Sequence, residues 1–133
     1  MPDNAPVIYP SLSYRDARAA IDWLEKAFGF QKLAVYDGPD GSIAHAEMNL
    51  GPAIIMLATA QPQMGWISPL DLPAVNQSLY IAIDDPDSHY QRARSAGAEI
   101  VREPNDTEYG SREYGAKDPE GHIWSFGTYR PTA

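Results

Sequence analysis

His45 and Glu47 are the residues of this chain whose types and spacing point most directly to chemistry. They stand two apart in the alternating run Ile43 to Leu50, so on a strand both side chains share one face. An imidazole beside a carboxylate can act as a general base with an orienting partner, or anchor a polar ligand. The same pair also suits a solvated polar face. Two ligands from one strand without a third make a weak metal site. His122 follows a tight turn and reads as structural. His89 lies on the polar face of a predicted helix and reads as surface. Arg112 sits in a Gly-flanked segment, where it could hold a carboxylate or phosphate bidentately, or pair with Glu108 or Glu113 at the surface. Ser111 has no evident His–Asp pairing, and no GxGxxG, Walker loop or GxSxG occurs. Nucleophilic catalysis is not readable here.

The aromatic residues offer a different chemistry. Tyr9, Trp66, Tyr80, Tyr109, Tyr114 and Trp124 fall on predicted strands and two loops. Aromatic walls suit planar or cationic ligands through stacking and cation–π contact. Ordinary core packing competes with that reading and is favoured for Trp124. Trp66 and Met64 occupy a Pro-rich connector, where an apolar pair suits a lid or an interface.

The elements that must position these groups follow from periodicity. Val7 to Tyr14 reads as a strand, with Pro10 inside it marking an edge or a bulge. From Asp16 to Phe28, the residues Ala17, Ala20, Ile21, Leu24, Ala27 and Phe28 form one apolar helical stripe. Gly29 is its cap. Phe30 to Tyr36, Ile43 to Leu50 and Ala53 to Ala58 read as strands. In the middle one, Ala44, Ala46, Met48 and Leu50 form the apolar face. Gln61 to Asn76 is a connector longer than an ordinary loop. The order then repeats. Ser78 to Asp84 is a strand, and Asp85-Pro86 starts a helix that runs to about Ala96, with Tyr90 and Ala93 facing inward. Glu99 to Glu103, Arg112 to Lys117 and Ile123 to Tyr129 are further strands. Asp118-Pro119-Glu120-Gly121 is ordered as a type I turn. The chain reads as two βαβββ modules.

Composition bounds the rest. The 133 residues suit one domain or two small modules sharing a core. With 44% hydrophobic and 21% charged residues the chain is not disordered. Ten basic against eighteen acidic residues give a net charge of -8, which disfavours nucleic acid. There are no cysteines, which excludes disulfides, iron–sulfur clusters and thiol nucleophiles. No apolar run approaches the roughly 20 residues of a membrane span, and Met1 to Pro6 lacks signal-peptide features. The default expectation is a soluble cytoplasmic protein.

One set of motifs resembles a known group. The cues are Arg15-Asp16-Ala17 with Ile21-Asp22-Trp23-Leu24, Ala27-Phe28-Gly29-Phe30, His45-Ala46-Glu47-Met48 and Ile55-Met56-Leu57. The most specific run is Tyr109-Gly110-Ser111-Arg112-Glu113-Tyr114-Gly115, followed by Asp118-Pro119-Glu120-Gly121-His122-Ile123-Trp124. With two βαβββ modules, the chain resembles the vicinal oxygen chelate superfamily of glyoxalase I, bleomycin-resistance proteins and extradiol dioxygenases. It looks most similar to the bacterial glyoxalase-like, bleomycin-resistance-like branch. The resemblance implies an α+β fold, with curved mixed sheets around a cleft and helices outside. It also implies a single domain over 1–133, with modules at about 7–60 and 76–130 and a connector at 61–75.

In the metalloenzymes of that superfamily, the first and fourth strands of each module supply His, Glu or Gln to a divalent metal. Mapped here, those positions carry Tyr9, Met56, Ser78 and Ser125. Protonated phenol and hydroxyl groups and a soft thioether are poor donors to such a metal. The expectation is therefore no metal and no cofactor. The function implied is metal-independent binding or sequestration of a small aromatic or cationic ligand. Tyr9, Trp66, Tyr80 and Trp124 would be walls, and His45, Glu47 and Arg112 polar anchors, with Met56, Ser78 and Ser125 lining the cleft. The alternative is a lyase, isomerase or dioxygenase of the glyoxalase type, with an unrecognised metal site or with His45 and Glu47 as metal-free acid and base. The resemblance also implies a homodimer, with no nucleic-acid or membrane partner.

Overall fold

The computed structural model describes residues 6–133, so Met1–Ala5, most of the segment without signal-peptide features, lie outside the described residues. The chain falls into two compact units. One comprises the residues up to Glu25 together with Gly29–Ser68, and the other comprises Lys26–Phe28 and Pro69–Ala133. Each contains a four-stranded mixed sheet, so the fold class is α+β, without a closed barrel.

The first unit's sheet contains β1 (Ser11–Tyr14), β2 (Gln31–Asp37), β3 (Ile43–Leu50) and β4 (Ala53–Thr59), and helix α1 (Ala17–Phe28) follows β1. Strand order is β1-β4-β3-β2, with β1 parallel to β4 and the other neighbours antiparallel. β1 is shorter than the predicted strand because Pro10 has no N–H to give a ladder. Its carbonyl still accepts from the Met56 amide at 2.8 Å. Asp16 caps α1 by accepting from the Ala19 amide at 3.0 Å, a cap worth about 1 kcal/mol. Gly29, at φ 84°, ends the helix in the left-handed region that favours glycine. All six residues of the predicted stripe are buried.

The predicted alternation of β3 fails at its first turn. Ile43 is buried and Ala44 is exposed. The β2–β3 ladder pairs Tyr36 with His45 but Asp37 with Ile43, so Ala44 is the extra residue of a bulge. A bulge shifts face parity by one, and from Ala46 onward the predicted faces hold.

The second unit contains β5 (Ser78–Ala82), α2 (Pro86–Ser95), β6 (Glu99–Asp106), β7 (Arg112–Lys117) and β8 (Ile123–Gly127), in sheet order β5-β8-β7-β6. Again the first and last strands pair parallel. Asp85 caps α2 by accepting from the Ser88 amide at 3.1 Å, with Pro86 in the first turn. Trp124, Phe126, Tyr114 and Ala116 are fully buried, as are Phe28 and Ala93. The Asp118–Gly121 turn closes through the Gly121 amide on the Asp118 carbonyl at 3.0 Å, with Gly121 at φ 99°. The Asp118 carboxylate accepts from the Glu120 amide, the His122 amide and the Trp124 indole N–H, each at 3.1 Å.

His89 is not the surface residue its helical position suggests. Its ring stacks on Phe28 at 5.8 Å and lies 4.3 Å from the Phe126 ring centre. Nε2–H donates to the Phe28 carbonyl at 2.7 Å. That fixes the tautomer, so Nδ1 accepts from the Tyr114 hydroxyl. Burial pushes the imidazole pKa down and that of the Tyr114 phenol up. The aromatic pocket selects the neutral ring because a desolvated charge is costly.

The connector holds short 3-10 turns at Pro62–Met64 and Pro69–Asp71. A backbone bridge joins Gln61 to Trp66. Met64 and Trp66 are exposed. Among the described residues no helix is long and apolar enough to cross a membrane.

Candidate functional site

Strand parity gives each sheet a core face and an opposite, more open face, although on the second sheet Glu113, Gly115 and Gly127 of the latter are covered. On the first sheet the open face carries His45 and Glu47 from β3, Met56 from β4 and Ser11 from β1, because Glu47 pairs with Met56 and Met56 with Ser11. His45 Nε2 lies 2.9 Å from Glu47 Oε2, with both side chains about 40% exposed (39% and 41%). Tyr36 stacks on His45 at 6.1 Å. Tyr9 stands just ahead of β1, and its hydroxyl donates to the Pro6 carbonyl. Met56 thus shares a face with the His45–Glu47 pair. Trp66 lies in the same unit at the bridge to Gln61.

The second sheet's open face is built differently. Tyr80 on β5 pairs with Ser125 on β8, which pairs with Gly115 on β7. Glu113 on β7 pairs with Gly127 on β8. The centre of the face is therefore small: Gly115, Ser125 and Gly127. Ser78 opens β5 on the same side as Tyr80. Around this floor stand Tyr80, Tyr109 and Tyr129, which are 38%, 64% and 49% exposed. Tyr109 and Tyr129 meet edge to face at 5.8 Å. Tyr80 donates its hydroxyl to the Tyr129 carbonyl at 2.7 Å. Burial raises its pKa, and a bond from Ser111 opposes that.

A carboxylate anchors this group. Glu113 is only 4% exposed. Oε2 accepts from the Tyr109 hydroxyl at 2.9 Å, and Oε1 from Arg102 Nη2 at 3.3 Å. Bonding to Glu113 raises the Tyr109 pKa, because ionising the phenol would remove the donor and set two anions together.

Two expected ligand contacts belong elsewhere. Trp124 follows Ser125's neighbour parity to the buried face, packs 5.4 Å from Phe28 and has no exposed surface. Its one polar atom is bonded to Asp118. Arg112 precedes Glu113, so it points to the opposite face. It holds Asp87 through Nε at 3.3 Å and Nη2 at 3.0 Å, and Asp106 through Nη1 at 3.3 Å. Those carboxylates, Asp87 first, raise its pKa. Neither Glu108 nor Glu113 is its partner. Arg102, Tyr109, Glu113 and Tyr129 are the residues sequence reasoning did not assemble. The opposite parity of Arg112 and Glu113 was the available signal.

The four positions tested for a divalent metal carry donors that do not fit one. The Tyr9 hydroxyl donates to the Pro6 carbonyl. Met56 offers a thioether, and Ser78 and Ser125 offer hydroxyls. Among the described residues no group of three or more His, Asp or Glu could hold an ion.

A model of the Glyoxalase/Bleomycin resistance protein/Dioxygenase superfamily matches residues 7–126. The chain belongs to this superfamily. An uncharacterized protein of Mycobacterium bovis is 35% identical over 125 residues, covering 92% of this chain and 82% of that one. TioX from Micromonospora sp. ML1 is 29% identical, with TM-score 0.74, covering 96% of this chain and 99% of that one. The fosfomycin resistance protein FosX of Listeria monocytogenes, in a form bound to Mn(II) and 1S,2S-dihydroxypropylphosphonic acid, has TM-score 0.71 at 13% identity. Those chains overlap over 95% of this one and 91% of FosX, and the likeness is one of fold. Superfamily membership fits the two mixed sheets with their two helices. It leaves the chemistry to the residues of each face.

Proposed function

We propose that this protein binds and sequesters a small molecule with an aromatic part, without a metal. The observation that carries the reading is the second sheet's open face. Three partly exposed tyrosines stand around Gly115 and Ser125, with Tyr80 and Glu113 lying over Gly127. Such a surface takes a flat ring between stacking walls, each contact adding about 0.5–1.5 kcal/mol beyond burial. The unsuitable donors at Tyr9, Met56, Ser78 and Ser125 support the metal-free part. The superfamily's inclusion of bleomycin resistance proteins supports testing drug sequestration as the role. The chain would act as a single domain, as a homodimer in the cytoplasm.

The test uses protein dialysed against a chelator and titrated with 1-naphthylmethanol, with bleomycin as a cationic drug probe. Saturable binding that Tyr80→Ala and Tyr109→Ala weaken several-fold supports the reading. Binding that appears only after a divalent metal is restored overturns it. Elemental analysis of protein purified without chelators gives the same decision directly. No response to bleomycin sinks the drug-sequestration version alone.

The 2.9 Å contact of His45 with Glu47 favours one second reading, metal-free acid–base catalysis on the first sheet. It requires turnover of a substrate that His45→Ala abolishes while binding persists.

A further inference from the structure

We infer that the second sheet's open face recognises an acidic group, a carboxylate or phosphate, on its aromatic ligand, and that Arg102 makes the contact. This rests on the binding reading above and sharpens it.

One ion pair on this face is asymmetric. The Arg102 side chain is 44% exposed, whereas that of Glu113 is 5% exposed. The pair sums to zero charge, but a ligand approaching from solvent meets the guanidinium. Among the described residues, the single side-chain hydrogen bond of Arg102 is the 3.3 Å contact from Nη2 to Glu113. A guanidinium carries five N–H donors in a rigid fork, so four stay available. Glu113 cannot serve a ligand cation comparably, because it is enclosed and each oxygen already accepts a bond.

The surroundings place those donors at the tyrosine-rimmed floor. Arg102 on β6 pairs with Gly115 on β7, in the same row as Ser125 and Tyr80. A Cβ on Gly115 would lie 3.7 Å from the Arg102 Cβ and 3.2 Å from Val101 Cγ2, so glycine there keeps the floor low beside the arginine. Tyr109 shares Glu113 with Arg102 and fixes the carboxylate that orients the guanidinium. A planar ring on the floor with its acid turned toward β6 would satisfy both features.

The net charge of -8 works against an anion only at long range. Screening confines such fields to about 8 Å at physiological salt, while bidentate contact with arginine acts at hydrogen-bond distance.

The experiment compares three probes with one ring system: 1-naphthoate, neutral 1-naphthylmethanol and 1-naphthylmethylammonium. Each is titrated calorimetrically into wild-type protein and into Arg102→Gln, whose fold is checked by circular dichroism and melting. Naphthoate should bind roughly tenfold or more tighter than the neutral probe, and the ammonium no tighter than the neutral probe. In Arg102→Gln the naphthoate-to-neutral ratio should fall to near one, and Arg102→Lys should restore part of it. Equal binding of all three to the wild type, or an unchanged ratio in Arg102→Gln, overturns the acid assignment and leaves the binding reading standing. Preference for the ammonium overturns it in favour of a cationic ligand. Failure of every probe to bind the wild type overturns both.

Discussion

Gly127 on β8 lies across the ladder from Glu113 on β7, and a methyl group on Gly127 would come within 2.6 Å of Glu113 Cγ. The same methyl would approach the Tyr80 hydroxyl at 2.8 Å. Glycine at this position is what lets a buried carboxylate and a tyrosine cross one strand together.

Gly127→Ala must therefore push Tyr80 off the Tyr129 carbonyl or displace Glu113. The expected cost is that of overpacking, about 1–3 kcal/mol. Urea denaturation of the variant checks it. A midpoint equal to wild type would show that both side chains step aside freely.

Glu113→Gln should lower the pH at which Tyr109 ionises. The carboxylate raises that pKa, mainly through the hydrogen bond and also by charge. A neutral amide removes the charge repulsion felt by the phenolate. Ultraviolet titration of tyrosinate, taken as the difference between each protein and its Tyr109→Phe counterpart, isolates this one phenol.

Stability should fall as pH drops below the usual histidine value of 6.5, because of His89. Its folded pKa is depressed, so the unfolded chain takes up the proton first. The unfolded state then binds more protons than the native state, and stability rises with pH across that window. The loss stops once pH passes below the folded pKa. Protonation would also turn Nδ1 from acceptor to donor against the Tyr114 hydroxyl. Melting temperatures between pH 7 and pH 5 should decline less steeply in His89→Gln than in wild type.

Asp118→Ala should be among the most damaging single changes. It leaves the Glu120 and His122 amides and the Trp124 indole without their acceptor. Buried donors stranded in this way cost about 1–3 kcal/mol each. Asp118→Asn should be milder, since one amide oxygen can still serve the two backbone N–H groups. Chemical denaturation of both variants ranks them, and the reverse order would contradict the network.

Local pattern carried much of the architecture. The α1 stripe, the Asp85 helix start and the shared face of His45 and Glu47 follow from spacing alone, since helix and strand periods act over a few residues. The limits are equally physical. Pro10 marks β1 as an edge strand, as expected, but the strand starts only after it, at Ser11. The Ala44 bulge shifted one face, and a bulge depends on the partner strand. His89 looked polar and exposed on its helix, yet Phe28 and Tyr114 supply its partners from distant sequence.

By itself, the amino-acid sequence determined the two βαβββ modules, the family resemblance and the absence of suitable metal donors at the four expected positions. Those rest on residue identity and short-range periodicity. Only the tertiary structure decided which side chains meet on the second sheet. The β6–β7 ladder shifts register on each side of Arg102, once between it and the Asn105–Glu113 pair, so counting residues could not place Arg102 and Glu113 on one face. Tyr109 reaches Glu113 through a loop turn, and Tyr129 returns past the end of β8. Such contacts are set by ladder register and chain return, and a linear pattern encodes neither.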